Sequence, residues 1–373
     1  MSARLFGELR SLLQGAPSKD RWEQLCALCE QVSGPVFLSQ WVPYIHAQTI
    51  QWPDVLMRAP RTWCTNAARG DDDALAWLHI ARDVAFSGTH QLSQLRMAQW
   101  IDAGLWGRWT RVHIKGAFIP REHIKGLWAN TPLTHLSLDK TKLGWSLVEA
   151  LAQDLGESLE SLAITHEYLG DERGQVLCEM HARPHTLDLT NNGLSDSFVE
   201  DAITTGVLAE VESLLLSENK APSALSLLAD TDLEFDEVVL HNMDMTDEAL
   251  WFGSGSSAAQ WRVLDVSDNG LSEHGIETLG EIECLHSLEV LDLSLNPLME
   301  GVGLVPLLPC APHLRDLTMI NSGWVDDGVL EFVRNAHRFK SLKRFAVDML
   351  ELNPEEQLII EQHPVLRRAL ERA

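Results

Sequence analysis

Cys178, His181 and His185 stand in a C-x-x-H-x-x-x-H spacing, a sulfur and two imidazoles of the kind that bind zinc. A structural zinc site needs four ligands, and no second cluster accompanies these three, so no metal is expected. Cys26 and Cys29 lie one helical turn apart, without the strand-turn context in which such a pair does redox chemistry, and read as core residues. Gly253-Ser254-Gly255-Ser256-Ser257 is glycine-rich but is not followed by Lys-Ser/Thr, so it reads as a flexible connection and not as a phosphate loop. Asp71-Asp72-Asp73 is expected to solvate a loop and start the helix that carries Leu75, Trp77 and Leu78. No serine nucleophile elbow, zinc-protease helix or carboxylate pair with a defined pocket occurs. The chain is expected to be no enzyme and to need no cofactor.

The remaining chemistry is recognition, and a repeat positions it. An apolar residue, two positions, an apolar residue, one position and another apolar residue recur, often followed by Asn three places on. The clearest copies are Leu187-Asp188-Leu189-Thr190-Asn191-Asn192-Gly193-Leu194, Leu264-Asp265-Val266-Ser267-Asp268-Asn269-Gly270-Leu271 and Leu291-Asp292-Leu293-Ser294-Leu295-Asn296-Pro297-Leu298. Ten copies start at Trp109, Leu133, Leu159, Pro184, Val211, Phe235, Trp261, Leu288, Leu314 and Leu342, 24 to 28 residues apart. A degenerate eleventh, with Ala81, Val84, Phe86 and Thr89, precedes them. A period of this length marks a leucine-rich-repeat solenoid.

Each copy begins with a short strand whose flanking apolar residues point inward and whose middle residue faces outward. Helical spacing follows, as in Leu147, Leu151 and Leu155, or Ile276, Leu279 and Ile282. One such unit cannot bury its apolar face alone, whereas stacked units build a continuous core. Asn192, Asn219, Asn269 and Asn296 are expected to pair turn backbone groups that would otherwise be buried unsatisfied. Thr89, Thr141 and Ser322 substitute in part. Ala117, Glu167, Met243 and Leu350 cannot fill that role in the same way, and their turns should be looser or solved by water.

The stretch from Leu264 to Phe345, with "LDVSDNGLSEHGIETLG", resembles the ribonuclease-inhibitor-like class of leucine-rich repeats. The resemblance covers about three quarters of the chain and implies an α/β, right-handed leucine-rich-repeat solenoid (horseshoe) with a parallel concave sheet and convex helices. It implies no particular activity, because such repeats serve many jobs. Repeat length and few cysteines depart from the ribonuclease inhibitor itself, so inhibition of ribonucleases is not carried over.

The register selects the concave face. Its middle row includes His113, Asp188, Leu215, Val239, Asp265 and Asp292, and the row two residues on includes Lys115, His241 and Ile320. With Arg111, His135 and Lys140, the early repeats present a basic corner, and the later ones carboxylates. Leu215, Val239 and Ile320 are expected to be exposed apolar anchors. The Leu-Asp-Leu-Ser phrase is also common wording in this repeat class, so the aspartates read equally well as repeat grammar.

Residues 1–80 lack the repeat and read as a helical, Trp-rich N-terminal cap, with two amphipathic helices joined around Gly15-Ala16-Pro17-Ser18. Residues 81–352 are the solenoid. Residues 353–373 read as a C-terminal capping helix opened by Asn353-Pro354-Glu355-Glu356 and closed near Arg367, Arg368 and Arg372. The formal net charge is −25, uneven along the chain. Residues 106–145 hold seven basic against two acidic side chains, and residues 146–330 five against 35. Nucleic acid is a poor partner for such a field. No membrane-length apolar run and no secretory leader are found, and the six scattered cysteines fit a reducing compartment, so a cytoplasmic protein is expected. The expected function is a monomeric, non-catalytic scaffold binding a protein on its concave face. The alternatives are a regulatory subunit or effector of a signalling enzyme, as leucine-rich GTPase activators are, and a self-assembling structural protein.

Overall fold

A computed structural model describes residues 3–87, 100–117, 128, 131–250, 259–298, 304–323, 327–349 and 352–370. Thr89, the Gly253 to Ser257 run, Leu350 and Arg372 lie outside them. The chain forms two compact units, Met1–Glu167 with Glu179–Pro184, and Tyr168–Cys178 with His185–Ala373.

The first unit begins with helices Ala3–Leu13 and Lys19–Cys29, the second capped by the Ser18 hydroxyl, which accepts from Arg21 N. Helix Gly34–Val36 runs through a π turn, Phe37–Trp41, into Val42–Thr49. Pro43 has no N–H to continue the i to i−4 ladder, and Val42 N donates to Phe37 O instead. Helices Arg61–Arg69 and Asp72–Trp77 complete this region; Asp71 caps the latter and Asp73 accepts from Gly34 N. Four parallel strands follow: β1 (Asp83–Ser87), β2 (Arg111–Lys115), β3 (His135–Asp139) and β4 (Ser161–Thr165). Their inward residues, from Val84 and Phe86 to Leu162 and Ile164, are fully buried. An aromatic cluster of Phe86, Trp100, Trp106, Trp109 and Trp128 backs β1 and β2, and Trp109 reaches Leu78 O of the helical region.

The second unit carries β5 (Thr186–Asp188), β6 (Ser213–Leu215), β7 (Phe235–Val239), β8 (Trp261–Asp265), β9 (Val290–Asp292), β10 (Asp316–Met319) and β11 (Arg344–Val347), each parallel to the next. The degenerate first copy and the ten clear ones thus each supply a strand, eleven in all. Helical segments separate the strands, and the expected apolar stripes Leu147, Leu151, Leu155 and Ile276, Leu279, Ile282 are buried. Strand followed by helix in parallel array, with one apolar face on each, is the α/β repeat solenoid. At the C-terminus two helices stand where one was expected, Pro354–Gln362 with a complete Asn353/Glu356 capping box, and Pro364–Leu370. Pro364 supplies no N–H, and the residue before it, His363, is extended (ψ 123°).

The turn after each strand is the repeat's polar core. Asn219 Oδ1 accepts from Asn192 N and Leu194 N at 2.9 and 3.0 Å, and its Nδ2 donates to Leu189 O and Leu216 O. Asn269 repeats the pattern with Met243 N, Met245 N, Leu240 O and Val266 O. Glu167 corrects an expectation. Its buried carboxylate accepts from Thr141 N, Thr141 Oγ1 and Leu143 N, the same pair of backbone donors one repeat earlier. A carboxylate cannot donate to carbonyls, so it fills the acceptor half of the Asn role.

Among the described residues the one before the Asn position is left-handed in nine repeats: Gly116, Lys140, His166, Asn191, Glu218, Asn242, Asp268, Leu295 and Asn321, with φ between 52° and 62°. Leu295 is the apolar one among them, and it is 45 % exposed. A left-handed leucine is disfavoured by about 1 kcal/mol, and Asn tolerates that conformation better. Leu295→Asn is therefore expected to raise the stability of the second unit by about 0.5–1 kcal/mol, read as a higher urea midpoint. A lower midpoint would show that Leu295 packs where its exposure denies it.

Candidate protein-binding face

The outward residues of the strands form two sets, one in each unit. In the second unit the register lines up Asp188, Leu215, Val239, Asp265, Asp292 and Thr318 as neighbours on successive strands. Parallel strands hold such neighbours about 4.8 Å apart. Each aspartate here does local work. Asp188 Oδ1 accepts from Thr190 N and Oγ1 at 3.0 and 2.7 Å, Asp265 Oδ1 from Ser267 N at 2.9 Å, and Asp292 Oδ1 from Ser294 N at 2.9 Å. These bonds turn the chain out of the strand and account for the Asp-x-Ser/Thr wording as repeat grammar. They leave Oδ2 of all three aspartates without a hydrogen bond to a described residue.

The expected anchors are less prominent than the register implied. Leu215 and Val239 are half-buried between their neighbours, and only Ile320 is exposed, at 41 %. Exposed Leu295 was missed. Its N–H donates to Ile320 O at 2.9 Å, so the two apolar residues belong to adjoining repeats. The signal was in the sequence: an apolar residue where the other well-formed copies carry Asn, Glu or Asp. His241 Nδ1 meets Ser267 Oγ at 2.9 Å, and its Nε2 lies 3.9 Å from Asp268.

In the first unit the register brings Arg111, His113, Lys115 and His135 together on β2 and β3. Beside them stands Asp83, which the sequence reading passed over. Its side chain is 2 % exposed, on the outward face of β1 opposite Arg111. Arg111 Nε lies 3.8 Å from its carboxylate, Arg58 Nε 3.9 Å and His113 Nε2 3.5 Å. Arg58 arrives from the helical region by a parallel bridge to Asp83, which extends the sheet edge by one residue. Burial raises the Asp83 pKa, against the pull of Arg58 and Arg111. Burial and the same two guanidinium groups push His113 down to about 4, and burial followed by Arg111 lowers His135, so both rings are neutral at pH 7. Lys115 is tied to Asp139 at 2.6 Å, and this lowers the Asp139 pKa against its partial burial.

The other candidate ligands stay apart from any chemistry. Cys178 is buried in helix Gly170–Cys178, whereas His181 and His185 are exposed, and His185 faces Glu212 at 3.7 Å. Among the described residues no three His, Cys, Asp or Glu side chains are grouped to hold a metal, and no helix is long and apolar enough to cross a membrane. All six cysteines are buried and lie outside any disulfide, with burial raising Cys64 to about 11 and Cys284 and Cys310 to about 12.

No protein-family model matches the chain, and no curated protein matches it in sequence. Among solved structures, a chain in the complex of Rad7 and Elc1 in yeast is similar to it, with a TM-score of 0.55, 13 % identity, and coverage of 95 % of this chain and 92 % of that one. At that identity the likeness is one of fold: two chains of nearly matching extent built as the same kind of repeat solenoid.

Proposed function

We propose that this chain is a non-catalytic interaction scaffold that binds a protein partner on the open, concave face of its repeats. The row Asp188, Leu215, Val239, Asp265, Asp292 and Thr318 carries the reading. Its aspartates are held by backbone donors on one oxygen and keep the other for a partner, around two half-buried apolar side chains. Rigid acceptors spaced by the sheet suit Lys and Arg side chains of a docking protein. Ile320 and Leu295 add apolar contact at adjoining repeats. The similar solved chain comes from a complex of two proteins, in keeping with a scaffold role.

The test is the double variant Asp265→Asn, Asp292→Asn. The amide oxygen still accepts from Ser267 N and Ser294 N, so the turns persist while two charges vanish. Affinity for a partner isolated from the native host should fall about ten-fold, some 1.4 kcal/mol, with a shallower salt dependence. An unaltered affinity and salt slope would sink the reading.

A further inference from the structure

We propose that Arg58 and Arg111, held by buried Asp83, form a carboxylate-recognition site that takes an acidic segment of a protein carrying an apolar side chain beside its carboxylates. That the ligand is a protein rests on the scaffold reading; the site itself lies in the first unit, apart from the aspartate row that carries that reading.

Two guanidinium groups converge on one carboxylate here without spending their donors on it. Both Nε distances to Asp83, 3.8 and 3.9 Å, exceed hydrogen-bond length. Arg111 Nε and Asp83 Oδ1 are buried polar atoms with no hydrogen-bond partner among the described residues. Buried polar groups are nearly always paired, so an unpaired donor on a largely buried arginine marks an incomplete site. The charge count agrees: two arginines against one carboxylate leave a positive excess, with His113 and His135 neutral beside them. Lys115 on the same face is matched by Asp139 and adds nothing to the excess. A cationic patch in a chain of net charge −25 selects for an anion by contrast with everything around it. Planar guanidinium groups match a carboxylate in paired N–H···O bonds. Asp83 is a positioning residue, acting through the two arginines.

Arg58 also specifies what adjoins the carboxylate. It lines a groove of about 610 Å³ with Trp22, Cys26, Val55, Leu56 and Ala59, between helix Lys19–Cys29 and the segment before Pro60; Lys19, Glu23 and Glu30 also line it, so the groove takes the apolar side chain and the carboxylate belongs on the arginines. Val55 is 58 % exposed there, an apolar wall open to solvent. A segment with its carboxylate on Arg58 and Arg111 would place a neighbouring leucine-sized side chain in this groove, the usual division between polar orientation and apolar burial.

The test uses the full chain and the fluorescein-labelled peptide Glu-Glu-Leu-Leu-Glu-Glu, followed by anisotropy. Binding is expected, weakened at least about ten-fold by Arg58→Ala or Arg111→Ala, and unchanged by Arg10→Ala, an exposed arginine elsewhere. Hexaglutamate should bind more weakly than the mixed peptide, and Lys-Lys-Leu-Leu-Lys-Lys should not bind. Arg58 is 56 % exposed, so its variant should fold, as circular dichroism would show, even if Asp83→Asn does not. No binding, equal binding of the lysine peptide, equal affinity in the arginine variants, or displacement by millimolar inorganic phosphate would each overturn the proposal. If the Asp265/Asn and Asp292/Asn exchange leaves partner affinity intact while the peptide behaves as expected, the scaffold reading fails and this site stands. If partner affinity responds while the peptide does not bind, the reverse holds.

Discussion

Asn269→Ala is expected to lower the stability of the second unit by about 4 kcal/mol, and its melting midpoint by about 10 °C. Alanine removes the acceptor of Met243 N and Met245 N and the donor to Leu240 O and Val266 O. All four backbone groups sit in the buried turn, where water cannot replace the side chain. At about 1 kcal/mol for each lost bond the effect exceeds that of most single substitutions. Asn269→Asp keeps the acceptor and loses both donors, so its loss should be intermediate before any cost of the added charge. Urea titration decides it; an alanine variant within about 1 kcal/mol of the parent would mean that the turn repacks or hydrates.

Acid should weaken the first unit below pH 6.5. Burial leads the causes that lower the pKa of His46, His79, His113 and His135, with His113 displaced furthest, to about 4. Between the unfolded and folded values the unfolded chain binds a proton that the folded chain refuses, so stability is full above pH 6.5 and falls as pH drops toward 4. For His113 the displacement corresponds to about 3 kcal/mol, or about 2 kcal/mol once screening at its partly exposed ring is counted. Asp83 acts oppositely: its raised pKa lets the folded chain take up a proton first, and this recovers some stability near the acid end. His113→Gln should therefore flatten the decline in urea midpoint between pH 7 and 5. Parallel declines in parent and variant would refute the assignment.

The period was legible because apolar spacing is set by the strand and helix geometries themselves. Leu187, Leu264 and Leu291 announced it, and the outward register followed by alternation. What a side chain does after reaching the surface was less legible. Asp265 and Asp292 looked like docking groups and are also turn caps, a role decided by the backbone two residues on. Glu167 closes its turn as an acceptor only, so neither looseness nor water is needed there. Asp83 escaped notice because its partner Arg58 lies outside the repeat, in a segment whose path no periodicity describes. Pro364, which supplies no N–H, divides the last segment into two helices where the capping-box wording pointed to one.

Four of the turn side chains reach from one coil to the coil before it. Asn219 bonds Asn192 and Leu194, Asn269 bonds Met243 and Met245, Asn296 bonds Leu271, and Glu167 bonds Thr141 and Leu143, in each case the coil that precedes it in the chain. These four coils are thus latched by their successors. During synthesis a turn must stay open until the following repeat, about 26 residues later, has left the ribosome, so maturation of the array trails translation by one coil. Shortening from the two ends should be unequal for the same reason. A cut that removes early coils leaves every later latch closed, whereas a cut that removes late ones opens the turn just before it.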